Sequence, residues 1–385
     1  MKSVFIVAGE SSGDLQGSLL VDALRRLEPG IRIEAVGGPL MRQAGAEVEA
    51  DLTGHAVIGI FESIRSVSRV YSVYRGVVRH LRERRPDAVV LIDYPEFNLR
   101  LARTARKLGI PVVYYISPQL WAWRQWRVRS IRKNVDRMLV VFPFEVEFYR
   151  GHGVQAEFVG HPLVETLAAV PDRETSRRDL GLGSDRLVLG LLPGSRTREV
   201  EQIFPLMLRA SDIIRKGLDK PVTLLCAKAP SLDDGLPGRF IAASGLHVTV
   251  VSNNTYRVIR SSDLLLTASG TATVEAMILG APMVVVYRVS LLTWALFSWM
   301  IKVPRYAMVN IIAGREIVPE CMQRGSSPEA IARAALAMLE PARLRQAQAD
   351  LSEATSRLGG ASGGPARKAA ERILETISRA EAAGK

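Results

Sequence analysis

Short aliphatic runs alternate along this chain with longer segments whose apolar positions recur every three or four residues. In the first half the runs are Ser3 to Val7, Ile31 to Val36, Ala88 to Ile92, Pro111 to Ile116, Arg137 to Val141 and Ala156 to Val159. Each is short and rich in aliphatic or β-branched residues, as in a strand of a parallel sheet. Between them Gly13 to Leu27, Asn98 to Leu108 and Val128 to Asn134 carry helical spacing. This alternation predicts βα units on a doubly wound parallel sheet.

The pattern stops at the polar stretch Pro171 to Asp185 and starts again at Arg186 to Leu192, Val222 to Ala227, His247 to Val251, Leu264 to Ala268 and Met283 to Tyr287. Two α/β domains are therefore expected, 1–170 and 171–365. Pro328 to Ser356 reads as helix, a Gly/Ser run covers 359–365, and a last helix, 366–385, is expected to pack back on the first domain. In such sheets ligands bind beyond the carboxyl ends of the strands, and in a two-domain chain the site is expected in the cleft between the halves.

Composition narrows the class. With 48% hydrophobic and 23% charged residues over 385 positions, wholesale disorder is excluded. A formal charge of +12 points to anionic partners such as nucleotide phosphates, nucleic acid or acidic lipid. The cysteines Cys226 and Cys321 form no C-x-x-C pattern, and the five histidines show no ligand spacing on one helix. Neither a disulfide framework nor a histidine-held catalytic metal is expected. Val4 to Ala8 is too short for a secretion signal, and the apolar stretch Met283 to Val303 is interrupted by Arg288 and Lys302, so no transmembrane helix is predicted.

The residues after each strand carry the candidate chemistry. Gly9-Glu10-Ser11-Ser12-Gly13-Asp14 opens a helix whose free N–H groups favour an anion or polar substrate. The ordinary alternative is a tight turn capped by Ser12 or Asp14, which would leave Glu10 without a capping role. The third strand delivers Asp93, followed by Tyr94-Pro95-Glu96-Phe97-Asn98, and a carboxylate there can accept a hydroxyl proton or merely start the next turn. Gly194-Ser195-Arg196 follows the first strand of the second half, where arginine suits phosphate oxygens; it is not a Walker loop. Ser269-Gly270-Thr271 repeats the strand, small-residue turn and helix pattern, with Glu275 one turn in, placed for ribose hydroxyls or for helix capping. Asn310 to Gln323 mixes amide, arginine and acid side chains that suit a uracil edge or sugar hydroxyls.

Two segments bear on membranes. Ile60, Ile64, Val67, Tyr71, Tyr74, Val78 and Leu81 form one helical stripe among arginines, which suits the domain core or an anionic bilayer interface. Leu291 to Ile301, with Trp294 and Trp299, suits the core, a subunit contact that would make a homodimer, or a greasy patch for acyl chains.

Together Ala8 to Asp14, Ile92 to Asn98, Ser117-Pro-Gln-Leu-Trp-Ala-Trp123, Phe142-Pro-Phe-Glu145, Val159 to Leu163, Leu192 to Arg196, Ser269 to Thr273 and Asn310 to Gln323 resemble the lipid-A-disaccharide synthase family. The resemblance runs almost end to end, although Tyr94 stands where smaller residues are frequent. It implies a GT-B fold, two Rossmann-like domains facing across a cleft. It implies inverting transfer of 2,3-diacylglucosamine from UDP-2,3-diacylglucosamine to 2,3-diacylglucosamine 1-phosphate, giving a β-1,6 disaccharide and UDP, without metal or other cofactor.

On this reading Asp93 is the first choice of base and Glu10 its rival. Ser12, Gly13 and Asn98 shape the acceptor turn. Arg196 with Ser195 would hold the diphosphate, Glu275 the ribose, and Ser269, Gly270, Thr271, Asn310 and Gln323 the rest of the nucleotide. The expected location is the cytoplasmic face of the inner membrane, against an anionic surface. The competing enzyme reading is a soluble UDP-N-acetylglucosamine 2-epimerase. A nucleic-acid-binding protein is disfavoured, because the arginines spread over both halves and no reading module appears.

Overall fold

The computed structural model describes residues 1–52, 64–183, 185–288, 305–359 and 364–384. The chain divides into two compact units, Met1–Pro162 with Gly360–Lys385, and Leu163–Gly359.

The first unit is built on β1 (Ser3–Ala8), β2 (Arg32–Val36), β3 (Glu47–Ala50), β4 (Ala88–Ile92), β5 (Val112–Tyr115), β6 (Arg137–Val140) and β7 (Ala156–Phe158). They form one parallel sheet in the order β3-β2-β1-β4-β5-β6-β7. The chain winds outward from β1 in one direction and from β4 in the other, so the crevice between these two is the topological switch point. Val4 to Ala8 and Ala88 to Leu91 are wholly buried, since helices cover both faces. Each such Ile, Leu or Phe contributes about 1.5–3 kcal/mol by leaving water. The last helix, Pro365–Ala382, packs on the helix Ser11–Leu27. It is also tied to the sheet edge, where Arg372 reaches Glu157 at 2.6 Å and Lys368 donates to the Phe158 carbonyl at 2.7 Å.

The second unit holds β8 (Leu187–Leu192), β9 (Val222–Lys228), β10 (Val248–Ser252), β11 (Leu264–Ala268), β12 (Met283–Tyr287) and β13 (Glu320–Met322). The parallel order is β10-β9-β8-β11-β12-β13, with the switch point between β8 and β11. The doubly wound α/β class read from the alternation is what the molecule shows in both units.

Three local features depart from the sequence pattern. The edge strands β3 and β13 were not anticipated; Glu-Val-Glu-Ala has the polar alternation of an edge, and three residues are too few for a periodic signal. The helical tail breaks at Glu340 into Pro328–Leu339 and Pro341–Ser356, because Pro341 cannot continue the preceding helix. Of the arginine-flanked stripe, Ile60 lies outside the described residues. On the helix Ile64–Arg84, Leu81 is fully buried, Tyr74 and Val78 pack against the core, and Tyr71 is 60% exposed. The segment 291–301 also lies outside the described residues. Among those described, no helix is long and apolar enough to cross a membrane.

Candidate active site

In the first unit the parallel register places Ala8 beside Ile92, so Glu10 and Asp93 leave neighbouring strands at the same edge. Asp93 and Tyr94 both take left-handed backbone conformations, φ 44° and 45°. Two consecutive non-glycine residues in this region store strain that surrounding contacts must hold. The Asp93 N–H donates to the Ile116 carbonyl at 3.2 Å, and the Tyr114 hydroxyl donates to the Asp93 carbonyl at 2.5 Å. Asn98 is fully buried, and its Nδ2 donates to the carbonyls of Ile92 and Asp93 at 3.1 and 2.8 Å. Its amide protons therefore fix the Asp93 corner.

Across the switch point Tyr94 lies over Gly9, where any Cβ would come within 2.3 Å of the ring. Glycine is required there by close approach. Gly13 lets the first helix sit down on β1, since an added Cβ would stand 3.3 Å from that of Ala8.

Glu10 occupies the cap position of the helix Ser11–Leu27 and makes no capping bond with its side chain. Neither Ser12 nor Asp14 is the cap. Ser12 is exposed, and Asp14 is buried and turned away. Its carboxylate accepts from Gly38, Leu40 and Met41 N–H at 2.8, 3.0 and 3.1 Å, so it caps the next helix, Pro39–Gln43. The Glu10 side chain has no hydrogen-bond partner among the described residues and stands beside Asp93. Burial first, and then the charge of Glu10, push the Asp93 carboxyl up to about 7, against a lowering hydrogen bond from the Tyr94 backbone. A carboxylate poised near neutrality is suited to take a proton.

The second unit presents different groups at the same topological place. Ser195 and Arg196 follow β8 and are exposed, with Arg196 at the cap position of the helix Thr197–Lys216. Gly194 has φ +117°, and a Cβ on it would meet Glu199 Oε2 at 2.1 Å. That oxygen accepts from the Ser195 N–H at 3.2 Å. Burial raises the Glu199 carboxyl, while the backbone N–H groups of Ser195 and Arg196 and the charge of Arg196 lower it. Glu199 was not singled out from the sequence; the cap position three residues before it is Arg196, not Ser or Thr, so the capping-box pattern gives no signal there.

The turn after β11 is open by contrast. Gly270 caps the helix Thr271–Ile278, and among the described residues no side chain accepts from that terminus and nothing stands within 4 Å of where its Cβ would be. Thr271 is exposed, and Ser269 Oγ reaches the Tyr306 carbonyl at 3.4 Å. Burial pushes the Glu275 carboxyl up to about 7, opposed by the Tyr256 hydroxyl 3.5 Å away.

Asn310 is wholly interior. Its Nδ2 donates to the Val318 carbonyl and Glu320 Oε1, both at 2.8 Å, and its Oδ1 accepts from Ile317 and Val318 N–H at 2.8 and 3.1 Å. Every amide valence is used to shape the loop, leaving none for a nucleotide. Gln323 follows β13 in a left-handed conformation, φ 48°, and its buried Nε2 has no hydrogen-bond partner among the described residues.

The structure thus brings Glu10, Ser12, Gly13, Asp93 and Asn98 to one edge of the first unit. It brings Ser195, Arg196, Ser269, Gly270, Thr271, Glu275 and Gln323 to one edge of the second, with Asn310 behind them. Sequence reasoning missed Tyr256, and it took Glu145 for motif alone. Glu145 is buried, donated to by the Phe142 N–H at 3.1 Å, and raised to about 8 chiefly by burial.

A family model described as lipid-A-disaccharide synthetase matches residues 4–374. A lipid-A-disaccharide synthase of Syntrophus aciditrophicus is 41% identical over 382 residues, 99% of each chain. One of Anaeromyxobacter dehalogenans is 43% identical over 370 residues, 96% of each. Among solved structures, the UDP-GlcNAc 2-epimerase of Neisseria meningitidis bound to UDP-GlcNAc superposes with a TM-score of 0.59 at 12% identity, covering 98% of this chain and all of the other. MurG of Acinetobacter baumannii gives 0.58 at 13%, with the same coverage. Transferases and epimerases share this fold, so fold alone does not choose between them.

Proposed function

The chain belongs to the lipid-A-disaccharide synthetase family, glycosyltransferases of lipid A biosynthesis, and from that premise we propose how its two units divide the reaction. The first unit takes the acceptor, 2,3-diacylglucosamine 1-phosphate. The second takes the donor, UDP-2,3-diacylglucosamine. Asp93 removes the proton from the acceptor 6-hydroxyl as that oxygen attacks the donor anomeric carbon. The bond from that carbon to UDP breaks with its electron pair on the leaving diphosphate, and an α donor yields a β-1,6 product. One in-line displacement with one base suffices.

The observation that carries this reading is the Asp93 corner, a carboxylate held at about 7 beside Glu10 at the switch point. In the second unit the open N–H groups at Gly270 to Ala272 and the exposed Arg196 favour the diphosphate, which needs stabilisation as negative charge develops on it. Glu275 and Gln323 are assigned to the nucleoside, and Asn310 to shaping the loop that carries them.

We extend the proposal to an anionic membrane surface at the cytoplasmic face of the inner membrane. Tyr71 and Trp126 are each 60% exposed and Trp123 is 40% exposed, with the Arg124 guanidinium 4.3 Å from the Trp123 ring. Exposed aromatics beside arginines suit an interface of apolar and anionic lipid groups.

The test is UDP release by purified protein in detergent, given the acylated donor with and without acceptor. Acceptor-dependent release, lost in Asp93→Asn with UDP binding retained, is the expected result. Turnover of unacylated UDP-N-acetylglucosamine without acceptor would replace this reading with the epimerase one.

A further inference from the structure

On the face of the first sheet covered by the helix Ile64–Arg84, side chains from three elements converge. Glu34 stands in mid-strand on β2, 4% exposed, in register with Phe5 on one side and Glu47 on the other. Beyond Glu47 the ladder slips, pairing Val36 with Ala50 and leaving Glu49 as the extra residue of a bulge. Bulges re-aim side chains. His80 comes down from the helix, 9% exposed, its ring tilted against Phe5 at 4.9 Å between centroids.

The two ring nitrogens face different carboxylates. Nδ1 lies 2.6 Å from Glu49 Oε1, and Nε2 lies 3.2 Å from Glu34 Oε2. Nε2 is buried and makes no hydrogen bond among the described residues, so its contact is close but misaligned. Neither contact has hydrogen-bond geometry among the described residues, and with the ring proton on Nδ1 the Nε2 lone pair faces an oxygen that also offers only lone pairs. Two such acceptors repel unless a cation stands between them.

A second ring proton would need a straight N–H···O path, which this contact lacks. A metal ion needs none. Two ligand atoms each about 2.1 Å from a shared zinc-like ion, subtending about 90° to 110°, stand roughly 3.0–3.4 Å apart. The observed separation falls in that range. Glu49, 2.6 Å from Nδ1, stands in addition where the outer carboxylate of a ligating histidine stands. Charge agrees as well. Arg32 reaches Glu34 Oε1 and Glu47 Oε2, each at 3.0 Å, so Glu34 has one oxygen left. Glu34, Glu47 and Glu49 together give this cluster an acidic character that suits a cation.

We propose that His80 Nε2 and Glu34 Oε2 bind a divalent transition ion of the zinc type, with Glu49 in the outer sphere and water completing the shell. The site lies at mid-strand height on β2 and β3, apart from Glu10 and Asp93, and its role is to pin the arginine-rich helix to this edge of the sheet. It does not depend on the proposed reaction.

The test is calorimetric titration of zinc chloride into the chelator-stripped full chain, with thermal unfolding alongside. Wild type should take up one ion per chain and unfold at a higher temperature with it. Glu49→Gln, a change at a side chain already 38% exposed, should weaken binding by about 10- to 100-fold. Glu34→Gln and His80→Gln should abolish it, while His152→Gln, at an exposed histidine elsewhere, should bind as wild type. Absence of zinc uptake by wild type, or uptake unchanged by Glu49→Gln and Glu34→Gln, would overturn the proposal and leave a proton as the bridging cation.

Discussion

The two units place their functional residues at the same point of the same topology and arm it with opposite electrostatics. At the β1/β4 edge stand two carboxylates, one of them pushed up to about 7, on a corner held in left-handed conformation. At the β8/β11 edge stand small residues, a helix terminus capped by glycine alone among the described residues, and an exposed arginine. One edge is suited to receive a proton and the other to receive a diphosphate. The doubly wound sheet supplies a place, and a handful of residues past the strand ends decides what happens there.

The contrast is broken most severely by removing the carboxylate. Asp93→Asn is expected to lower kcat by about 10²- to 10⁴-fold while UDP affinity, read by calorimetry, stays as in wild type. If Glu10→Gln shows the larger loss, the roles of the two acids are exchanged.

Arg196→Ala strikes the other edge. Losing a charge-assisted contact worth about 1.5–3 kcal/mol should weaken UDP and donor binding by roughly 10- to 100-fold, with a smaller effect on the pH profile. An unchanged UDP affinity would leave the diphosphate to the Gly270 terminus alone.

Glu10→Gln sharpens the comparison within the first unit. As base, Asp93 must be ionised, so activity should rise with pH through about 7. Because the Glu10 charge raises Asp93, removing it should move this limb to lower pH by less than about one unit. A limb that does not move, measured on kcat/KM, would deny the coupling.

The smallest effect is on stability. Burial raises Glu145 from its ordinary carboxylate value of 4.5 to about 8, so its protonated form favours the folded chain. That contribution is complete below about 4.5 and is lost as pH rises through about 8. The thermal midpoint of wild type should therefore fall between pH 6 and 9 more steeply than that of Glu145→Gln, followed by circular dichroism.

Much of this was legible in the chain. The apolar runs from Val4 to Ala8 and from Ala88 to Ile92 announce strands covered on both faces, because helices bury both sides of these central strands. Asp93 and Arg196 could be singled out because they follow such runs directly. Asp14 was misread for a physical reason: its partners, Gly38, Leu40 and Met41, lie more than twenty residues on. A local cap and a long-range cap look alike in one dimension. Asn310 was read as a ligand group because an amide's valences are invisible until the fold shows them filled.

What the sequence determined by itself is local and cumulative: element type, the doubly wound alternation, and the motifs that carry the family. Hydrophobic period and turn chemistry act between near neighbours, so they survive being read along a line. The register that puts Glu10 beside Asp93, the turning of Asp14 toward another helix, and the meeting of His80 with Glu34 and Glu49 were decided only by the tertiary structure. Desolvation and charge depend on distance in space, and the fold alone sets that distance for residues far apart in the chain.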